Sequence, residues 1–266
     1  MIQIDSERYE REGYLIVPGL FRGERLRALR AHADAFVDAA WARQELAGKH
    51  RLDLTEPALG QPPFALLEAI ADPWVLGLSE VLTRSALVAN QYQMSIDSQD
   101  MYWHRDEVFL PKNLPWDAAG FSAETPYSQI QWNLPLVDDE YLNIVPGSHR
   151  LYGGEPDAEA ARSQREQRFI PEMPGALTVR LVAGDGVVYH NTLIHGVRRP
   201  AHQPQRRTLH WYWTRANHAD PYGWDQPDIT AYADRLPPRI RATYAQRPPA
   251  ASTSAHFRGA SAAATG

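Results

Sequence analysis

From Leu87 onward the chain is built of short β-rich runs, and the turn chemistry between them restricts the fold more than any other feature. Gln129 to Val137, Ala176 to Val182, Val187 to His190 and Arg206 to Thr214 are separated by proline, glycine and aspartate. Regular short strands joined in this way predict a double-sheet jelly roll, the double-stranded β-helix, rather than a parallel sheet. The N-terminal part reads differently. From Glu24 to Gln44 the apolar residues Leu26, Leu29, Ala33, Phe36, Val37, Ala40 and Trp41 recur at helical spacing, with Arg27, Arg30 and Asp34 on the other side. This predicts an amphipathic helix. It follows a short strand, Tyr14 to Val17, closed by Pro18-Gly19, and precedes two more helical segments, Pro63 to Ala71 and Val75 to Thr83. The expected fold is therefore mainly β with flanking helices, the N-terminal helices covering one sheet.

At 266 residues, with 44% hydrophobic content, the chain can bury a full core. One domain over residues 1–247 is expected. Residues 248–266 are small, polar and rich in alanine and serine, a composition that cannot offset ordering entropy by burial, so they read as a flexible tail. The net charge of −5 offers no global basic surface, which argues against nucleic acid or anionic membrane and for a small-molecule substrate. There is no cysteine, so thiolate metal sites and cysteine nucleophiles are excluded and any metal must rest on His, Asp and Glu. The first residues are charged, and no apolar run approaches the length that spans a bilayer. The expectation is a soluble cytoplasmic protein, monomer or homodimer.

Chemistry concentrates in two places. In a strand, residues two apart share a face, so His104 and Asp106 can point at one metal while Arg105 points away. Alone, such a pair is weak evidence and reads as a surface salt bridge. Downstream, Gly184-Asp185-Gly186 opens a tight turn into Val187-Val188-Tyr189, and His195 follows apolar Leu193-Ile194. Two imidazoles and one carboxylate on one side of Fe(II) leave positions open for a chelating acid and O2. In the next strand Arg206, Thr208 and His210 share one face, whereas Arg207, Leu209, Trp211 and Trp213 share the other, mostly apolar one. A guanidinium on a polar face that lines a cleft is a bidentate fork for a carboxylate, with the Thr208 hydroxyl as a further donor. The alternative is that Arg206 pairs with an internal Asp or Glu.

These motifs resemble the phytanoyl-CoA dioxygenase family of Fe(II)- and 2-oxoglutarate-dependent oxygenases, roughly over Glu10 to Tyr212. Tyr9 to Leu20 is similar to the family's N-terminal block, Trp103-His104-Arg105-Asp106 to its "WHxD" segment, and Pro146-Gly147-Ser148-His149 to its "PGSH" turn. Gly184-Asp185 with Leu193-Ile194-His195-Gly196 is similar to its distal block, and Arg206 stands eleven residues beyond His195, the family interval. The resemblance implies a cupin-like jelly roll in which His104, Asp106 and His195 bind Fe(II) and Arg206 holds the far carboxylate of 2-oxoglutarate. It departs from the family at Val197, where a serine is common, so Thr208 is expected to supply that hydrogen bond. It also departs at Asp138 to Asn143, which replaces the family's Asn-Gly.

Further site residues are read from alternation. Gln91, Gln93 and Ser95 share a face leading toward His104, with Gln93 assigned to the cosubstrate and Gln91 to the substrate. Gln129, Gln131 and Asn133 share another, while the resemblance favours Trp132 as a cofactor neighbour. Arg105, Glu107, Gln131 and Asn133 suggest a pocket for a small polar molecule, an amino acid or natural-product intermediate. His210, though on the polar face, reads as structural. The expected reaction is hydroxylation of an unactivated C–H bond with release of succinate and CO2. Desaturation, epimerisation and cyclisation are alternatives within the fold, and a non-catalytic jelly-roll binding protein is the alternative outside it. Halogenation is disfavoured, since it needs a small residue where Asp106 stands.

Overall fold

Short strands that alternate in side-chain character bury one face each, and the chain satisfies this by shuttling between two sheets. The computed structural model describes residues 5–42, 50–55, 63–97, 100–106, 129–202, 205–216 and 230–245. Its strands are β1 (Tyr14–Val17), β2 (Arg51–Asp53), β3 (Leu87–Ser95), β4 (Met101–His104), β5 (Gln129–Pro135), β6 (Leu142–Ile144), β7 (Leu177–Thr178), β8 (Gly186–His190), β9 (His195–Val197) and β10 (Thr208–Arg215). A major sheet has the order β1-β8-β5-β10-β3-β2 and a minor sheet the order β4-β9-β6-β7, with antiparallel pairing throughout. From β3 to β10 the chain repeatedly crosses from one sheet to the other, which is the double-stranded β-helix. The helices are α1 (Ser6–Glu12), α2 (Gly23–Ala42), α3 (Phe64–Ile70), α4 (Pro73–Thr83), α5 (Glu155–Glu166) and α6 (Pro238–Ala245). Among the described residues no helix is long and apolar enough to cross a membrane.

The apolar alternation decides which face the helices take. Leu209, Trp211 and Trp213 of β10, Ile130, Trp132 and Leu134 of β5, and Tyr92 and Met94 of β3 form one core cluster with Leu29, Ala33, Phe36 and Val37 of α2 and with buried residues of α3 and α4. Trp132 and Trp211 stack at 5.5 Å, interplanar angle 2°, and Trp132 Nε1 donates to Ser79 Oγ of α4 at 3.0 Å. The helix α4 is held at its start by Asp72, whose carboxylate accepts from Trp74 N at 2.9 Å, with Pro73 in the first turn. Along α2 the buried stripe ends at Ala40, and Trp41, expected to continue it, is 64% exposed.

A bulge adjusts the polar face. Opposite Tyr212 stands Gln91, but opposite Trp213 stands Ala89, so β3 carries one extra residue there. Leu87 and Ala89 thereby join Tyr92 and Met94 in the helix-facing core, while Gln91 lines the space between the sheets. That space is only partly apolar. Tyr14, Leu142, Ile144, Val187 and Leu193 fill one region, and polar groups of β3, β5 and β10 line the rest.

Some elements differ from their expected form. Pairing of 176–182 shrinks to Leu177–Thr178 and a bridge between Asp139 and Leu181. Arg206 precedes β10 rather than lying within it. The helix α5, which the sequence reading did not anticipate, covers the outer side of the minor sheet; Trp103 N donates to Ser163 Oγ at 2.9 Å, and Trp103 packs with Ala160, Phe169 and Ile170. Its sequence, EPDAEAARSQRE, is polar and carries no large apolar residue, so no stripe of leucine-like side chains announced it. Residues 248–266, expected as a tail, lie outside the described residues, as do Gln44 and Glu107.

Candidate metal centre

The two histidines face each other because their strands pair: His104 at the end of β4 is the register partner of His195 at the start of β9. Between Met101 and His104 the register slips by one residue, a bulge that re-aims the last side chain of β4. The rings stand 4.2 Å apart. Asp106, whose backbone N–H donates to Asn191 O at 3.1 Å, places Oδ1 3.7 Å from His104 Nε2 and 3.6 Å from His195 Nε2. The three ligand atoms all lie within 4.8 Å of one another, and all three residues are buried.

Hydrogen bonding fixes what these atoms present. His104 Nδ1 meets the carbonyl of Tyr102 at 2.9 Å and His195 Nδ1 that of Leu193 at 2.8 Å. A carbonyl only accepts, so each Nδ1 carries the proton and each Nε2 aims a lone pair at the shared point. Burial holds both imidazoles neutral: His104 is pushed well below 6.5 by burial and then by His195, and His195 is pushed down to about 4 by burial. Asp106 turns its other oxygen, Oδ2, to a hydrogen bond from Gln131 Nε2. Lone pairs of two imidazoles and a carboxylate converging without a proton between them repel one another, and a divalent cation turns that repulsion into binding. The donor set therefore fits a ferrous ion.

The triad lines a cavity together with Arg51, Gln91, Gln131, Asn133, Tyr189, Arg206, His210 and Tyr212. Arg206 is there as expected, yet the alternative partner is present too. Its Nε donates to Asp139 Oδ2 at 2.8 Å, with both side chains 3% exposed, and its guanidinium sits 4.6 Å over the Tyr141 ring. Asp139 Oδ1 is fixed in turn by Tyr141 N at 2.9 Å. Asn133 Oδ1 meets His210 Nδ1, and His210 Nε2 meets the Tyr212 hydroxyl at 2.8 Å. Burial, followed by Arg51 and Arg206, holds His210 well below the usual imidazole range.

Several expected roles are corrected by these contacts. Thr208 is buried outside the cavity lining and its hydroxyl donates to Asp139 Oδ2 at 2.5 Å, so it orients the partner of Arg206 rather than offering a proton to a ligand. Gln93 also stands outside the lining, and its Oε1 accepts from Arg51 Nη1 at 3.4 Å. Trp132 belongs to the helix-facing core, on the side of β5 away from the cavity. Arg105 faces away from the cavity, and all five of its N–H donors are engaged. Nε and Nη2 reach Asp157 at 3.0 and 3.1 Å, Nη1 reaches Ser148 O and Thr192 O at 2.7 and 2.6 Å, and Nη2 also reaches Leu151 O at 2.8 Å. Gln131 lines the cavity, but its amide nitrogen serves Asp106.

Two further histidines are engaged in hydrogen bonds of their own. His149 Nε2 meets Glu10 O at 3.0 Å, tying the Pro146-to-His149 turn to α1, and His190 Nδ1 accepts from Thr192 Oγ1 at 2.8 Å. Arg51, Asp139, Tyr189 and Tyr212 were not singled out from sequence. Tyr212 lies two residues beyond His210, so the same alternation reaches it. Arg51 sits on a three-residue strand with no periodic signal.

Comparison with known proteins follows this geometry. The family model described as phytanoyl-CoA dioxygenase matches residues 9–207. An ectoine dioxygenase of Stutzerimonas stutzeri (strain A1501) is 25% identical over 191 residues, covering 62% of this chain but only 58% of that protein. Among solved structures, EctD from S. alaskensis with 2-oxoglutarate and 5-hydroxyectoine superposes with a TM-score of 0.61 at 16% identity, covering 89% of this chain and 85% of the other. The epimerase SnoN in complex with Fe3+, alpha ketoglutarate and nogalamycin RO gives 0.56 at 22% identity, covering 84% and 89%. At these identities the structural likeness speaks for the fold.

Proposed function

The chain belongs to the phytanoyl-CoA dioxygenase family of iron(II)- and 2-oxoglutarate-dependent oxygenases, and we propose that it hydroxylates an unactivated C–H bond of a small polar metabolite, an amino acid or natural-product intermediate. The reading takes residues 1–247 as one oxygenase domain. The observation that carries it is the convergence of His104 Nε2, His195 Nε2 and Asp106 Oδ1 at the wall of a cavity that Arg206 also lines.

Bound iron would supply activation of O2 at the expense of 2-oxoglutarate, yielding succinate and CO2. The protein's part is placement. The carbonyls of Tyr102 and Leu193 lock the tautomers of His104 and His195, and Gln131 holds the Asp106 carboxylate so that Oδ1 faces the histidines. Arg206, steadied by Asp139 and Tyr141, presents a guanidinium to the far carboxylate of 2-oxoglutarate. Gln91 and Asn133, whose amides line the same cavity, would bond a polar substrate.

The test is anaerobic addition of Fe(II) and 2-oxoglutarate. A visible charge-transfer band is expected in the native protein and none in His104→Ala. Arg206→Ala should be made together with Asp139→Asn, so that no buried carboxylate is left unpaired. It should weaken 2-oxoglutarate by about 10- to 100-fold, the worth of a charge-assisted contact, while sparing iron. Absence of the band from the native protein would overturn the reading. A screen of small metabolites for stimulated succinate release, with product analysis for one added oxygen, separates hydroxylation from desaturation or epimerisation.

A further inference from the structure

Three charged residues among those described line the cavity: Asp106, Arg206 and Arg51. Two are already matched. Asp106 faces the histidines and the amide of Gln131, and Arg206 is ion-paired with Asp139. Arg51 differs. Its hydrogen-bond partners are neutral, the side-chain oxygen of Gln93 at a long 3.4 Å and the Tyr212 hydroxyl, and no described carboxylate forms an ion pair with it. Yet its side chain lines the same cavity as His104, His195, His210 and Tyr212.

Its position in the sheet separates it from Arg206. Arg51 lies on β2, the edge strand of the major sheet, and β3 stands between it and β10. Arg206 immediately precedes β10, so the two guanidinium groups spring from backbones about two strand spacings apart, roughly 10 Å. Pairing of Arg51 with Ser95, itself the partner of Thr208, turns Arg51 toward the space between the sheets. An edge-strand arginine, half-buried and held only by neutral groups, can exchange those contacts for an incoming anion.

We propose that Arg51 selects the substrate by binding a carboxylate, so that the enzyme acts on small carboxylic acids and discriminates against their neutral counterparts. The inference rests on the oxygenase reading above, in which the metal and Arg206 receive the two ends of 2-oxoglutarate and leave Arg51 for a second ligand. A carboxylate there replaces neutral contacts to Gln93 and Tyr212 by charge-assisted hydrogen bonds, and a neutral amide gains no such exchange.

The experiment titrates propionate, hexanoate and benzoate, each against its own carboxamide, into the anaerobic protein loaded with Fe(II) and 2-oxoglutarate, read by calorimetry. At least one acid is expected to bind about 10- to 100-fold more tightly than its amide. Arg51→Gln should abolish that preference and Arg51→Lys retain part of it, with half-saturation by 2-oxoglutarate, read from the visible band, within about twofold of the native value. Acid and amide binding alike would overturn the proposal, as would failure of every acid to bind, or a loss in Arg51→Gln that falls on 2-oxoglutarate instead. If the native protein shows no visible band, the oxygenase reading fails, and the same acid–amide comparison on the metal-free protein then decides Arg51 by itself.

Discussion

Arg105→Met separates a structural from a substrate-binding arginine. The native guanidinium makes five hydrogen bonds, and methionine fills a similar volume while removing all of them. The losses are unequal. Thr192 is 1% exposed, so its carbonyl is left buried without that partner, which costs about 1–3 kcal/mol. Ser148 O still accepts from Leu151 N at 3.2 Å, and Leu151, 72% exposed, can rehydrate its own carbonyl. Asp157 has a side chain 26% exposed and keeps a bond from Gly153 N at 3.1 Å, so the ion pair counts for only about 1 kcal/mol after solvent screening. Counting about 1 kcal/mol for Ser148, whose carbonyl keeps another donor, the sum is about 3–5 kcal/mol, in the range for breaking a buried pair. In urea that shifts the unfolding midpoint down by at least ~1 M at a slope of about 3 kcal/mol/M. Arg105→Lys, with three donors for five acceptors, should fall between. A native midpoint in Arg105→Met combined with lost substrate-dependent turnover would refute the argument and return Arg105 to the binding pocket.

Gln131→Leu removes the hydrogen bond to Asp106 Oδ2. Metal affinity should fall by about 10- to 100-fold in a competitive Fe(II) or Co(II) titration, the usual cost of losing a partner behind a ligand, and an unchanged affinity would show that Asp106 needs no such support. A second expectation concerns acid stability. Burial pushes His149 from 6.5 down to about 4. Above pH 6.5 neither the folded nor the unfolded chain protonates this ring; between 6.5 and about 4 only the unfolded chain does, so stability is lost as pH falls, by about 3 kcal/mol near pH 4. His149→Gln, which does not titrate, should flatten the stability–pH curve over that interval, and parallel curves would contradict the assignment.

The architecture was legible from alternation. Leu209, Trp211 and Trp213 announced the helix-facing side of β10, and Arg206 with His210 the cavity side, because a strand offers only two faces and burial sorts residues between them. What alternation omits is the partner. Thr208 was placed near the right arginine, but Asp139, from a segment whose substitution for Asn-Gly looked like a departure, accepts its hydrogen bond. Trp132 was drawn toward the cofactor by resemblance, whereas its own parity in β5 already put it with Trp211. The helix α5 escaped notice because alanine and serine contact the minor sheet where larger apolar residues give the usual signal.

The order of strand runs was enough to point to a jelly roll, and the absence of cysteine, with two histidines and an aspartate in motifs that resemble a known family, to a candidate oxygen-and-nitrogen metal set, since those depend on residue type, local periodicity and motif order. Tertiary structure alone decided how each polar group is used. Arg105 finds its acceptors 43 to 87 positions away, and Arg206 its carboxylate 67 positions away. Arg51 reaches the cavity only because β2 pairs at the sheet edge. A hydrogen bond is satisfied by whatever the fold brings within about 3 Å, and that distance is set by the packing of both sheets rather than by any stretch of sequence.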